Sequence, residues 1–91
     1  MMPGKETAAP TRFYVAEMIT HNFIFKGVGR HKEEARAALL SAWTAHRTDL
    51  LARYPERTDS IPEASRMEDH FKIYFLEFEM DAGYRGNDRL V

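Results

Sequence analysis

The pattern of apolar and polar positions predicts two strands joined by a short turn near the start of the domain. The runs RFYVAEMIT and FIFKGVG are rich in aromatic and β-branched residues, a composition typical of strands. Polar residues 20–22 separate the runs and are expected at or near a hairpin turn. Gly27 and Gly29 are expected to end the second strand, because glycine tolerates the backbone angles of a sharp exit from a sheet.

A long helix is predicted from His31 to Tyr54, where Ala, Leu, Glu, Lys and Arg dominate and neither Pro nor Gly occurs. Acidic residues in its first turn and Arg53 in its last turn match the helix dipole, and Pro55 ends it. At about 100° per residue, one face of this helix collects side chains suited to cover a sheet. These are Ala35, Leu39, Ala42, Trp43, His46 and Leu50.

The rest of the chain predicts one more strand and few other elements. Within the polar segment 56–69, Ser60 and the residues after it allow a short second helix, and the run HFKIYFLEFEM then returns to strand composition. We therefore predict an α+β fold, β-β-α-β, with a small antiparallel sheet packed on one long helix. The domain is expected to span residues 12–81, between a disordered tail, 1–11, and a C-terminal tail, 82–91.

The predicted strands carry apolar side chains on both faces. In the first strand Phe13 and Val15 alternate with Tyr14 and Ala16, so a single helix leaves one face of the sheet uncovered. At about 25 cal/mol per Å², a few hundred Å² of exposed apolar sheet is unfavourable by several kcal/mol. We therefore predict a non-enzymatic interaction module, a homodimer or a domain that binds a protein partner. The predicted interface residues are Tyr14, Met18, Leu76, Phe78 and Met80.

Composition and charge narrow the range of partners. The chain has 91 residues and a net charge of −1, from 13 basic and 14 acidic residues mixed along it, so no nucleic-acid partner is expected. It contains no cysteine, which excludes disulfides and thiolate sites. No apolar run is long enough for a signal peptide or a membrane span, so a cytoplasmic location without membrane contact is expected.

Motifs for metals and cofactors are incomplete in this sequence. Its histidines are His21, His31, His46 and His70, and no two have the spacing of a H-E-x-x-H site, so no metal is expected. The glycine pair at 27–29 lacks the third glycine of a dinucleotide-binding loop, because Lys32 occupies that position, so no cofactor is expected.

Two alternative functions remain open from the same residues. The first is a small-molecule-binding domain with an aromatic pocket between helix and sheet, near Trp43, His46 and Tyr54, with Glu17 and Glu77 as candidate polar groups. The second is an acid–base enzyme in which His46 acts with Glu17 or Glu77, if the first and last strands are neighbours. A structural histidine and solvent-facing glutamates are the simpler interpretation, and no catalytic residue is assigned.

The order strand, strand, glycine-bearing exit and the helix start His31-Lys32-Glu33-Glu34-Ala35 resembles the partial double-stranded-RNA-binding-like domain of HicB-type antitoxins. The resemblance covers about residues 12–50 and implies an oligomeric, protein-binding domain rather than RNA binding. In general character the chain also resembles the orphan products of bacterial mobile gene cassettes.

Overall fold

The order of elements matches the predicted β-β-α-β arrangement. A computed structural model describes residues 12–80 of the chain, and the predicted tails lie outside the described residues. The elements are β1 (Arg12–Ile19), β2 (Ile24–Gly29), α1 (Lys32–Arg53), two 3-10 helices (Pro55–Arg57 and Ala64–Asp69) and β3 (Ile73–Glu79). The sheet is antiparallel, with the strand order β2-β1-β3, and α1 packs against one of its faces. The predicted α+β fold is confirmed.

The hairpin turn between β1 and β2 is closed by Thr20. Its backbone N–H donates to the carbonyl oxygen of Phe23 at 2.9 Å. Its hydroxyl donates to the same oxygen at 2.8 Å and accepts from the N–H of Phe23 at 3.2 Å. One threonine therefore satisfies both backbone groups of Phe23, because a hydroxyl both donates and accepts. The turn lies where the polar break in the sequence predicts it.

The substitution Thr20→Ala is expected to lower the free energy of unfolding by about 1 kcal/mol, because it removes both hydroxyl hydrogen bonds of the turn. Urea unfolding at a fixed protein concentration measures the change. Thr48→Ala is the matched control, since the Thr48 hydroxyl donates only to Thr44 O, one turn back on the exposed side of α1. A loss of equal size in both variants would show that the turn is not closed by Thr20.

The core lies between the sheet and α1. The helix contributes Ala35, Leu39 and Trp43 at a spacing of four residues, as the helical pattern predicts. His46 and Leu50 on the same face are half-buried, whereas Ala42, at the margin of this face, is exposed, contrary to the prediction. The buried side chains that meet the helix residues are Ala16, Met18, Met67 and Ile73.

The two glycines of β2 let the helix backbone touch the strand. A Cβ atom on Gly27 would overlap the carbonyl oxygen of Ala35 and the backbone nitrogen of Leu39. A Cβ atom on Gly29 would lie 2.5 Å from the backbone nitrogen of Ala35. β2 ends at Gly29 as predicted, but the predicted reason is wrong: close backbone approach, rather than an unusual turn, requires glycine here.

The segment that follows α1 is held against the helix by side chains of α1. Trp43 Nε1 donates to the carbonyl oxygen of Pro62, and Arg47 Nε donates to that of Ile61, each at 2.9 Å. Arg36 forms an ion pair with Glu68, and their hydrogen bond is the main cause that raises the pKa of Arg36. The short second helix allowed by the sequence forms as the 3-10 helix that begins at Ala64.

Candidate functional site

The sheet face opposite α1 is called the open face, because the core and the helix lie on the other side. Cα partners in neighbouring antiparallel strands point to the same side of a sheet, so the register determines its members. Val15 pairs with Val28 on one side and with Leu76 on the other. The same rule gives the full set of strand residues on the open face. They are Phe13, Val15, Glu17, Ile19, Ile24, Lys26, Val28, Tyr74, Leu76 and Phe78.

The open face is apolar and has no unpaired charge among its members. Ile24 is 58% exposed and Val28 is 60% exposed, although both are aliphatic residues inside a strand. Phe13 stacks on Phe78 with ring centroids 5.5 Å apart. Its two charged residues pair with each other, since Lys26 Nζ lies 3.3 Å from a carboxylate oxygen of Glu17. The face therefore presents a large apolar area of the kind that marks interaction surfaces.

The predicted interface residues divide between the two faces. Leu76 and Phe78 lie on the open face, and Met80, just beyond β3, is exposed. Met18 is fully buried beneath α1, and Tyr14 packs against the core on the same side, so neither belongs to the open face. Both faces of β1 carry apolar side chains. The one sign in the sequence that Tyr14 and Met18 point inward is Glu17, a charged residue on the opposite face of the strand.

A second surface is a cleft between the C-terminal half of α1, the hairpin turn and the segment after the helix. Its volume is about 410 Å³. Trp43, His46 and Tyr54, the residues named from the sequence for an aromatic pocket, all line it. The hairpin turn contributes Phe23, which lies directly against His46 with ring centroids 4.9 Å apart.

Aromatic contacts fix the wall of the cleft around His46. The imidazole centroid lies 5.2 Å from that of Phe25 and 5.6 Å from that of Trp43. Phe25 and Trp43 meet edge to face with centroids 5.4 Å apart. Trp43 donates its N–H to Pro62 O, so its ring cannot turn without losing that bond. The indole at the base of this wall is therefore held in one orientation.

The two glutamates that were candidates for the same site lie elsewhere. Glu17 is on the open face with Lys26, on the other side of the sheet from His46. Glu77 pairs with Arg12, whose Nη1 atom lies 3.3 Å from it, and with Tyr14 in the register. Glu77 is four residues along β3 from Ile73, about 13 Å at about 3.3 Å per residue. Ile73 is the β3 residue level with Phe25, which contacts His46. The predicted acid–base arrangement of His46 with either glutamate is therefore not formed.

Sequence reasoning missed the basic groups of the cleft. Arg57, His21 and His70 also line it, and they come from loops and from a 3-10 helix without hydrophobic periodicity. Arg57 lies over the ring of Tyr54, with its guanidinium carbon 5.1 Å from the ring centroid. The sequence offered one indirect signal for these residues. Trp43 and Arg47 of the predicted helix carry side-chain donors, and in the structure these donors hold the segment after the helix in place.

Residues 12–80 form neither a metal-binding cluster nor a membrane-spanning helix. Among them, no group of three or more His, Asp or Glu side chains is placed to hold a metal ion. In the same range, no helix has both the length and the apolar character needed to span a bilayer. No family model matches the chain, and neither a curated protein nor a solved structure matches it.

Proposed function

We propose that this domain is an interaction module that forms a homodimer through its open face. The observation that carries the proposal is the exposed apolar area on that face, where Ile24 and Val28 are both more than half exposed. A chain of 91 residues buries only about 60–65% of the surface of its unfolded form, so burial against a second copy adds substantially to a small net stability.

The charge pattern favours a second copy as the occupant. Glu17 and Lys26 neutralise each other within one chain. The ammonium of Lys72 lies 5.2 Å from the Tyr74 ring centroid at the edge strand. A partner therefore needs to supply no charge at the centre of the face. An identical open face, apolar and neutral, meets that requirement, and two sheets packed face to face about 10 Å apart form a common core arrangement. The resemblance to HicB-type domains, which stays a prediction, would also imply an oligomeric protein-binding domain.

The size of the face sets the expected strength of the dimer. Three strands spaced about 4.8 Å apart and about 23 Å long give roughly 300–500 Å² of face per copy. Counted over both copies this is roughly 600–1,000 Å², below the range of stable interfaces and typical of weak, transient ones, so a dissociation constant on the order of 100 µM is expected.

Sedimentation equilibrium of the full chain from about 1 to about 500 µM tests the proposal over the range around that constant. The mass is expected to rise with concentration from 10.6 kDa toward twice that value. Val28→Lys is expected to keep the chain monomeric, because two copies would bury unpaired ammonium groups against each other. Ala45→Lys adds the same charge on the exposed side of α1 and is expected to leave the dimer intact.

Two results would contradict the homodimer. One is a mass of 10.6 kDa at every concentration for the unmodified chain. The other is a dimer that survives Val28→Lys and is lost in Ala45→Lys, which would place the contact on the helix instead. Circular dichroism of both variants establishes that each is folded.

A second candidate function is the binding of a small molecule in the cleft. The observation that favours it is the convergence of Trp43, His46 and Tyr54 on one cavity of about 410 Å³, a size within the usual range for ligand sites. The cleft lies on the helix side of the sheet, so both functions can operate in one molecule.

A further inference from the structure

The chemistry of the cleft defines a class of ligand. We propose that it binds a small aromatic carboxylate, with the ring against Phe23 and His46, in front of the buried Trp43, and the carboxylate at Arg57. This inference rests on the second candidate function, small-molecule binding in the cleft, and goes on to name what is bound.

The walls of the cleft favour a flat apolar body. Phe23, Trp43, Tyr54 and Phe71 line it together with His46, and aromatic side chains prefer offset or edge-to-face contacts with another ring. The N–H of Trp43 is already bound to Pro62 O and the residue is only 7% exposed, so the ligand meets mainly the more exposed rings of Phe23 and Tyr54. Recognition of a polar group is therefore left to other side chains.

The charged groups of the cleft favour an anion. None of its fourteen lining residues is Asp or Glu, whereas they include one arginine and three histidines. In the part of the chain that the structure describes, Arg57 forms no salt bridge. A negative group entering the cleft therefore meets basic side chains and no like charge.

Arg57 is placed to receive a carboxylate. Its guanidinium carbon lies 5.1 Å from the centroid of the Tyr54 ring, a cation–π contact that uses none of the N–H donors in a hydrogen bond. Its backbone is held in a turn, because its N–H donates to Tyr54 O and its carbonyl oxygen accepts from the N–H of Ser60, each at 2.9 Å. The planar fork of an arginine matches the two oxygens of a carboxylate.

The single tryptophan gives a direct readout of occupancy. The chain has one Trp, so the indole N–H of Trp43 gives one signal in a proton–nitrogen correlation spectrum. The probes are 3-phenylpropanoate, 3-phenylpropanamide and 2-phenylethylamine, which share a phenyl ring and differ in charge. The carboxylate is expected to shift the signal with at least about tenfold higher affinity than the amide, since a charged hydrogen bond is added. The amine is expected to bind most weakly.

Two arginine variants locate the carboxylate. Arg57→Gln is expected to reduce the preference for the carboxylate over the amide to less than about threefold, because the charged part of the contact is lost. Arg53→Gln is the matched control, since it removes the same charge from the last turn of α1, outside the cleft, and is expected to retain the preference.

The possible failures are distinguishable. If none of the three probes shifts the Trp43 signal at millimolar concentration, both the proposed small-molecule function and the ligand class are overturned. If all three bind equally well, the cleft binds small molecules but the carboxylate class is wrong. If Arg53→Gln removes the preference as fully as Arg57→Gln, the selectivity comes from net charge and Arg57 is not the receiving group.

Discussion

Gly27→Ala is expected to lower the free energy of unfolding by about 3 kcal/mol, the largest effect of any single added methyl group on the described fold. The new Cβ atom would overlap backbone atoms of Ala35 and Leu39, and its third neighbour, Leu39 Cα, would lie only 2.9 Å away. Backbone atoms cannot rotate aside as a flexible side chain does, so the helix must move away from the strand. That movement loosens the core around Leu39 as well.

Urea unfolding at a fixed protein concentration measures this loss of stability. Two comparison variants show whether the loss comes from the contact between α1 and β2. Gly29→Ala is expected to cost somewhat less, because its new Cβ would lie 2.5 Å or more from its nearest neighbours and meets only the first turn of α1, whereas the Cβ on Gly27 overlaps the helix backbone further along. Ala45→Ser adds one heavy atom at an exposed position of α1 and is expected to change stability by less than about 0.5 kcal/mol. Unchanged stability of Gly27→Ala would contradict the direct contact between α1 and β2.

Leu39→Ala is the second substitution with a large expected effect, about 3 kcal/mol, because it removes a fully buried side chain and leaves a cavity. Leu39 lies at the centre of the helix face that covers the sheet, with Ala35 and Trp43 one turn away on either side. A core this small has few other contacts to compensate for the loss.

Leu40→Ala is the matched control for Leu39, since it makes the same chemical change at the next residue of the helix. Leu40 is only half-buried at the flank of the core, so about half the loss is expected. Equal losses from the two leucines, measured by thermal or urea unfolding, would mean that the helix is rotated from the orientation described.

The elements that depend on local pattern could be predicted from the sequence. Residues 20–22 mark the turn because Thr20 closes it with its own side chain, and Pro55 ends α1 because proline cannot continue a helix. The stripe that contains Leu39 and Trp43 follows from helical spacing alone. In each case the physical cause lies within a few residues of its effect.

The features that depend on contacts between distant segments could not be predicted. Apart from Glu17 on the Val15 side, the faces of β1 are similarly apolar, so the sequence gives only a weak sign of whether Met18 or Val15 faces the helix, and packing against α1 decides it. Gly27 is required because the backbone of α1 passes directly over it, and the residues of β2 do not determine where that helix lies. Arg57 reaches the cleft through a loop held by Trp43, a long-range contact without periodicity.

Two copies of this chain are proposed to meet through the open face. The most direct test is a sample mixing isotope-labelled and unlabelled chains, in which nuclear Overhauser effects are recorded only between copies. Contacts between copies are predicted for the methyl groups of Val15, Val28 and Leu76, and none for Leu39 in the core. Contacts between copies from the outer side of α1, such as Ala45, without any from the open face would contradict the claim.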